Sequence, residues 1–134
     1  MEYYRKISTS KEKKYSFVEL CKNPELSAEI ACGPIDEFDF DVAILFSDIL
    51  FILEGLGLSL TFDPGPVFGE EINSNNVDKF NDIEKAISHL GFQKEAIQLT
   101  RDKLSDNKSL IGFVGGPYTL LKYAVGKKNK ISLK

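Results

Sequence analysis

Asp48 is the residue of this sequence most suited to chemistry, because it is a carboxylate inside a continuous apolar segment. The segment Val42–Leu53 reads VAILFSDILFIL, and only Ser47 and Asp48 interrupt its apolar residues. Burying an ionised carboxylate costs several kcal/mol unless a partner compensates for the lost water. Two interpretations therefore stay open: Asp48 ends a strand and caps the next turn, or it is held there to meet a ligand.

Few other residues in the sequence could form a catalytic or metal site. Because His89 is the only histidine, no serine or cysteine nucleophile set with a histidine base can be assembled. Cys21 and Cys32 have no CxxC spacing and no histidine companion, so we expect buried, reduced thiols and no metal site. The glycine-rich segments carry neither a complete dinucleotide fingerprint nor a complete phosphate loop. These absences leave Asp48 as the main candidate.

The size, composition and charge of the chain limit its possible architectures and partners. With 134 residues, of which 43% are hydrophobic, we expect one domain with a single core. The net charge of −3 provides no basic field that would attract nucleic acid or a membrane surface. No apolar run could span a bilayer and no secretory signal is recognisable, so we expect a cytoplasmic protein. Residues 1–15 are predicted to form a polar arm and residues 126–134 a frayed basic tail.

The elements that position Asp48 begin with two helices. Ser16 and Glu19 form a capping-box pattern, which predicts that a helix begins at Ser16. Asn23 and the proline after it predict a second helix, Pro24–Cys32, which we expect to end at the following Gly-Pro pair. One more helical turn in Pro34–Phe38 stays open as an alternative.

The rest of the sequence alternates between strand and helix patterns. The predicted elements are a strand buried on both faces in Val42–Leu53, a short hairpin or an extended excursion in Gly55–Phe68, a helical segment Asp82–Leu104 broken at Gly91, a second buried strand Leu110–Val114, and a helix Pro117–Val125. Buried strands joined by a crossover helix form a βαβ unit, so we expect Asp41–Phe46 and Leu110–Val114 to be adjacent and parallel. Two such strands cannot bury themselves, which indicates a piece of something larger.

Three segments of the sequence together resemble one protein family. They are FVELCKNPELSAEI (Phe17–Ile30), DVAILFSDIL with the downstream LGLSLTF (Asp41–Phe62), and EAIQLTRDKL followed by LIGFVGGPYTLLKYAV (Glu95–Val125). In these motifs, their order and their spacing, the chain resembles uroporphyrinogen decarboxylase of haem biosynthesis from Tyr4 to Val125. FSDIL and CKNPEL are the most specific of the matching motifs.

The resemblance implies a fold and an activity. The fold would be an α/β TIM (β/α)8 barrel, of which this chain holds the first βα units only. Members of the family remove four acetate carboxyl groups from uroporphyrinogen to give coproporphyrinogen, without a cofactor or metal. The implied partner is a tetrapyrrole substrate, and the family commonly forms homodimers. A related methyltransferase-type barrel is the alternative within the superfamily, and the aspartate of FSDIL argues against it.

The resemblance also implies roles for three residues. Asp48 matches the aspartate whose carboxylate is directed at the pyrrole N–H groups of the substrate. Tyr123 matches a tyrosine that contacts substrate near the reacting acetate, and Phe17 matches a phenylalanine near the pocket. For Tyr123 an alternative stays open, because its helical spacing from Leu120 is also compatible with a place in the core.

The sequence also departs from the family pattern. Family members are much longer, and an arginine-rich segment that binds substrate carboxylates precedes the part matched by Tyr4-Arg5-Lys6. After Val125 the family continues with Glu-Gly, whereas this sequence continues with GKKNKISLK. We therefore expect a truncated product, or one part of a split protein whose barrel a second polypeptide completes, with no full activity from this chain alone. The open alternative is a small, non-catalytic α/β binding module.

Overall fold

The computed structural model describes residues 14–63 and 65–126, which form a mixed α/β structure. Its elements follow in this order: α1 (Phe17–Lys22), α2 (Pro24–Phe38), β1 (Val42–Ile44), α3 (Phe51–Gly55), β2 (Leu60–Phe62), β3 (Pro66–Phe68), a 3-10 turn (Val77–Lys79), α4 (Ile83–His89), α5 (Gly91–Lys103), β4 (Ser109–Ile111) and α6 (Pro117–Ala124). No helix in these residues is long and apolar enough to cross a membrane. The predicted arm (1–15) and tail (126–134) lie almost entirely outside the described residues.

The chain divides into two compact units. The first unit contains the residues up to Asp48 together with Gly91–Phe113. The second unit contains Ile49–Leu90 together with the residues from Val114 onward. The expectation of one domain over the whole chain stays a prediction.

The start of the first unit contains the two helix caps that the sequence predicts. The backbone N–H of Ser16 donates to Oε2 of Glu19 at 2.7 Å, and the N–H of Glu19 donates to the Ser16 hydroxyl oxygen at 3.3 Å. The side chain of Asn23 accepts a hydrogen bond from the N–H of Leu26 at 2.9 Å, and Pro24 occupies the first position of α2. Each cap satisfies N–H groups that have no partner inside the helix, and both predicted starts are confirmed.

The predicted end of α2 at the Gly-Pro pair is wrong, because the helix continues through Pro34 to Phe38, the segment for which a further helical turn was the open alternative. A proline inside a helix removes the hydrogen bond to the carbonyl four residues earlier. Burial on both sides of the proline, at Ala31 and Ile35, offsets that loss. The helix ends only at Asp39, whose φ of 53° is left-handed and whose N–H donates to the carbonyl oxygen of Ile35.

Strands β1 and β4 form a two-stranded parallel sheet, which confirms the predicted pairing. The register places Ala43 opposite Leu110. One face of the sheet packs against helices, and Ala43 and Leu45 are buried there beside the half-buried Leu110. The prediction that both faces are buried is wrong, since Ile44 is 57% exposed and Val114, beyond β4, is 90% exposed. With only two strands, the described sheet has nothing to cover its second face.

The apolar segment Val42–Leu53 is not a single strand. Its first residues form β1, but its last residues belong to α3, where Phe51 and Leu53 are buried. An uninterrupted apolar run carries no periodicity, so a strand and a buried helix cannot be distinguished from it alone. The turn that leads into α3 begins just after Ser47 and Asp48, the two polar residues of the run.

The core of the first unit lies mainly between α2 and α5. Several of its side chains are small: Ala31 and Ala96 pack in one cluster with Leu45, and Thr100 is fully buried. The hydroxyl of Thr100 donates to the carbonyl oxygen of Ala96 at 2.6 Å, which satisfies this buried group. Cys21 and Cys32 are buried and form no disulfide, as the sequence predicts.

The core of the second unit contains larger side chains. Leu50, Leu53 and Leu58 are buried in one cluster, against which the hairpin residues Leu60 and Phe68 also pack. Those two hairpin residues face each other in the antiparallel β2–β3 pair, so the predicted hairpin is confirmed.

Helices α3 and α4 approach each other closely at a glycine. A Cβ atom at Gly55 would lie 3.0 Å from the Cα of Ala86, which is tighter than most Cβ contacts and would require one helix to shift by a few tenths of an ångström. At the end of the same contact, Nε2 of His89 and Oε2 of Glu54 are 3.0 Å apart. The predicted break in the long helical segment is confirmed, because α4 ends at His89 and α5 begins at Gly91.

Candidate functional site

Asp48 lies where the parallel sheet of the first unit ends. It is half-buried, follows β1 after a short segment, and precedes the turn that leads into α3. The N-cap residue of α3 is Leu50, so Asp48 does not occupy the cap position of that helix. In α/β folds, ligands bind beyond the carboxyl ends of parallel strands. Asp48 therefore occupies the edge of the sheet at which a functional carboxylate is expected.

The thiol of Cys21 in α1 is a neighbour of Asp48. Burial raises the pKa of this thiol to about 11, while a backbone hydrogen bond at Asp48 lowers the pKa and the charge of the Asp48 carboxylate raises it. The thiol is thus protonated at neutral pH. The Asp48 carboxylate therefore has an uncharged thiol as one of its neighbours.

Three phenylalanine rings lie at the same edge of the sheet and form what we call the aromatic cluster: Phe17, Phe46 and Phe113. The ring centroid of Phe46 lies 6.1 Å from that of Phe17 in an edge-to-face arrangement and 5.6 Å from that of Phe113. All three side chains are exposed, and Phe46 is 54% exposed. Contiguous exposed aromatic rings are typical of a surface that contacts a ligand or another protein segment.

The backbone immediately before Asp48 is anchored to its surroundings. Nε2 of Gln93 in α5 donates to the hydroxyl oxygen of Ser47 at 2.9 Å. The N–H of Leu45 donates to the carbonyl oxygen of Ile111 at 3.3 Å, which extends the sheet contact past β1. These bonds hold the chain that presents Phe46 and Asp48.

The first unit thus combines a carboxylate with exposed aromatic rings. A carboxylate accepts hydrogen bonds from N–H donors and stabilises a nearby positive charge, and aromatic faces pack against flat, apolar groups. Within residues 14–63 and 65–126, no group of three His, Cys, Asp or Glu side chains could hold a metal ion. The arrangement suits a flat organic ligand that carries N–H groups.

Tyr123 lies on α6 in the second unit, where it is 44% exposed. The alternative that Tyr123 belongs to the core is therefore wrong. Its neighbour Ala124 is buried in the core cluster instead, and Leu120 is half-buried against that cluster. Helix α6 thus turns Leu120 and Ala124 inward and leaves the Tyr123 ring outside.

Tyr123 lines a groove of about 920 Å³ between the β2–β3 hairpin and α6, which we call the hairpin groove. Its volume lies within the range of small-molecule sites. Side chains that line it include Val67 and Glu71 from the hairpin side and Tyr118, Lys122 and Tyr123 from α6.

The structure places two of the three predicted site residues in the first unit and the third in the second unit. Phe17 and Asp48 belong to the first unit, and the contact between Phe17 and Phe46 links them to one edge of the sheet. Tyr123 belongs to the second unit. Sequence reasoning missed Phe46 and Phe113, although each is a phenylalanine near the carboxyl end of a predicted strand, where ligands of parallel sheets bind.

Comparison with known proteins gives consistent matches. The family model described as uroporphyrinogen decarboxylase (URO-D) matches residues 1–133. A protein named uroporphyrinogen decarboxylase from Anaeromyxobacter dehalogenans is 44% identical over 121 residues, which are 84% of this chain and 35% of the relative. Proteins of the same name from Campylobacter jejuni and Wolinella succinogenes are 42% and 41% identical, over 84% and 92% of this chain. The chain spans about a third of the length of these relatives, 35% to 36%.

Proposed function

This chain belongs to the uroporphyrinogen decarboxylase family, and from that premise we propose that it forms the part of a uroporphyrinogen decarboxylase that carries the central carboxylate. The reaction is removal of the four acetate carboxyl groups of uroporphyrinogen to give coproporphyrinogen. The observation that carries the proposal is the half-buried Asp48 beside the aromatic cluster at the carboxyl end of β1 and β4. The reaction, its substrate and its partners are proposed for the assembled enzyme, of which these residues are about a third.

The proposed chemistry gives the Asp48 carboxylate a direct role. A proton added to the pyrrole carbon next to the acetate turns the ring into an electron sink. The bond to the carboxyl group then breaks, CO₂ leaves, and the electron pair of that bond enters the ring. A second proton converts the exocyclic methylene to a methyl group, and the ring carbon releases the proton that it gained at the start, which restores the pyrrole. The intermediate is cationic. A carboxylate about 4 Å away, at an effective dielectric constant of about 20, contributes roughly 4 kcal/mol of attraction. If the transition state felt all of it, the rate would rise about a thousandfold.

The other two predicted site residues have supporting roles in this proposal. Phe17, with the rest of the aromatic cluster, packs against the flat face of the tetrapyrrole. Tyr123 contacts the substrate near the acetate that reacts, and its exposure on α6 is compatible with such a contact. Neither a cofactor nor a metal is needed, because the pyrrole itself accepts the electrons.

We further propose that β1 and β4 are two strands of a TIM barrel, of which this chain holds the first βα units. The second face of the sheet supports this, because Val42, Ile44 and Ile111 expose apolar side chains there. Both outer edges of the two-stranded sheet also lack a neighbouring strand within the described residues. Further polypeptide, in the same or a second chain, would complete the barrel. A homodimer in the cytoplasm is proposed for the assembled enzyme by analogy with the family.

The test is a chimera in which this chain replaces the matching part of the Wolinella succinogenes relative, assayed on uroporphyrinogen under reducing conditions. Asp48→Asn keeps the shape of the side chain and removes its charge, so we expect turnover to fall about a hundredfold or more. Tyr123→Phe deletes one hydroxyl and keeps the ring, so we expect a smaller loss.

Asp106→Asn in an exposed turn is the matched control, because it removes a carboxylate away from the aromatic cluster. It should leave turnover unchanged. A folded Asp48→Asn chimera with near-normal turnover would contradict the proposal and leave Asp48 with a structural role only. Circular dichroism of each chimera separates loss of fold from loss of chemistry.

A further inference from the structure

The segment that leads to Asp48 presents its side chains alternately to two sides. Along β1 and the residues after it, Ala43 and Leu45 are buried against the helices, whereas Phe46 is exposed. Successive side chains of an extended chain point to opposite faces. Ser47 therefore continues the row that faces the helices, and Asp48 continues the exposed row that includes Phe46.

Gln93 is the polar residue of α5 that meets the row facing the helices. Gln93, Ala96 and Thr100 are three and four residues apart, so they lie on one face of α5, and the last two are fully buried. Gln93 lies in the first turn of the helix and is half-buried, and its Nε2 donates to the Ser47 hydroxyl oxygen at 2.9 Å. This bond ties the residue before Asp48 to α5.

Helix α1 contacts the same segment from another side. Phe17 and Cys21 are four residues apart on α1, so they lie on one face of that helix. The ring centroids of Phe17 and Phe46 are 6.1 Å apart, and a hydrogen bond joins the backbone of Asp48 to the Cys21 thiol. The three residues from Phe46 to Asp48 are therefore held by α1 and by α5 together.

We propose that Gln93 is a positioning residue for Asp48: its hydrogen bond to Ser47 fixes the direction in which the Asp48 carboxylate leaves the edge of the sheet. The inference rests on the proposed function, in which that carboxylate stabilises the cationic ring. Ser47 and Asp48 share a planar peptide bond, so a rotation of one backbone reorients the other. Misplacement of a catalytic group by about 1 Å can cost about a hundredfold in rate. A pin one residue away from the carboxylate therefore affects turnover.

The test uses the same chimera, assayed on uroporphyrinogen. Gln93→Met keeps the length of the side chain and removes its N–H donor, so turnover should fall about tenfold, the upper end of the effect of one hydrogen bond. The KM should change by less than about twofold, because Gln93 faces the row of Ser47 and not the exposed side of the sheet. Ser47→Ala removes the acceptor instead and should give the same loss.

Gln98→Met is the matched control, because it makes the same substitution in the same helix. The Gln98 amide donates to Oδ1 of Asp102 at 2.8 Å on the exposed surface of α5. Turnover and KM should both stay unchanged in this variant.

A double-mutant cycle determines whether Gln93 acts through Asp48. In the Asp48→Asn chimera, Gln93→Met should lower turnover by less than about twofold further, because the charge that the hydrogen bond positions is gone. The double variant Ser47→Ala with Gln93→Met should lose no more than either substitution alone. A general loss of folded protein would instead lower turnover by the same factor in both backgrounds.

Amide hydrogen exchange of the full chain measures the positioning without the reaction. Gln93→Met should speed exchange of the Asp48 N–H relative to the amides of α2, which report opening of the whole unit. Gln98→Met should leave this ratio unchanged.

The possible outcomes separate this proposal from the proposed function. Normal turnover in Gln93→Met, an equal loss in both backgrounds, or an unchanged exchange ratio at Asp48 would each overturn the positioning role. Each of these results leaves the loss of turnover in Asp48→Asn in place, and the proposed function with it. Near-normal turnover in Asp48→Asn would contradict the proposed function and the positioning role together.

Discussion

The two units of this chain are packed with side chains of different size. In the first unit the contact between α2 and α5 includes the small side chains of Ala31, Ala96 and Thr100, which are buried beside the larger Ile35 and Leu104. In the second unit Leu50, Leu53 and Leu58 fill the space between α3, the hairpin and α6. A core of small residues has no room for additional atoms, whereas a core of leucines loses much contact when one is shortened. We therefore expect larger side chains to destabilise the first unit most and shorter side chains to destabilise the second unit most.

The candidate site residues of the two units also depend on different cores. Asp48 follows Ser47, whose hydroxyl accepts a hydrogen bond from Gln93 of α5, so the position of Asp48 depends on the α2–α5 packing. Tyr123 lies on an exposed side of α6 and depends on a leucine core beneath it. Disruption of one core should thus affect one part of the proposed site first.

The largest effect is expected from shortening a leucine in the second unit. Leu58 is 1% exposed, so Leu58→Ala should leave a cavity and lower the free energy of unfolding by about 3 kcal/mol. Amide hydrogen exchange should locate the loss in α3 and α6. Leu121→Ala, at an exposed position of the same unit, should cost far less. Equal loss of protection in α2 and α5 would show that the two units do not open separately.

The next effect is expected from adding volume to the first unit. Ala96 is 2% exposed and packs in one cluster with Ala31 and Leu45, so Ala96→Leu should cost about 2 kcal/mol through overpacking. Thermal unfolding of this variant and of Ile97→Leu, an exposed neighbour, gives the comparison. If Ala96→Leu were neutral, the α2–α5 contact would be looser than the structure indicates.

The smallest expected effect is a loss of stability at high pH. It also distinguishes the two units, because both cysteines lie in the first unit. Burial raises the pKa of Cys21 from 9.0 to about 11 in the folded chain. The unfolded chain therefore releases the thiol proton first as pH rises, so the stabilisation is complete below pH 9 and is lost between pH 9 and 11. After allowance for solvent screening, about 1 kcal/mol should disappear over this range.

Urea unfolding at pH 8 and pH 10.5 measures this loss, with Cys21→Ala as the reference that lacks the thiol. The free energy of unfolding of the unaltered chain, taken relative to that of Cys21→Ala, should be lower at pH 10.5 than at pH 8. A constant difference would mean that the Cys21 thiol is not buried beside Asp48.

Much of the architecture could be predicted because its signals are local. The capping box of Ser16 and Glu19, the Asn23 cap and the hairpin all depend on residues within a few positions of one another. The parallel pairing of β1 with β4 was also predictable, since a helix between two apolar strands imposes it. The family match and the residues proposed for the site likewise followed from motifs such as FSDIL.

The sequence by itself therefore determined where helices start, which strands pair and which carboxylate is set among apolar residues, because each depends on local chemistry or chain order. Tertiary structure decided what local patterns leave ambiguous. Burial of Ala31 and Ile35 carried α2 past Pro34, and packing turned the end of the apolar run into α3. It also placed Tyr123 in a groove with Lys122. These outcomes depend on which surfaces meet in three dimensions, and contact between residues distant in sequence leaves no periodicity to read.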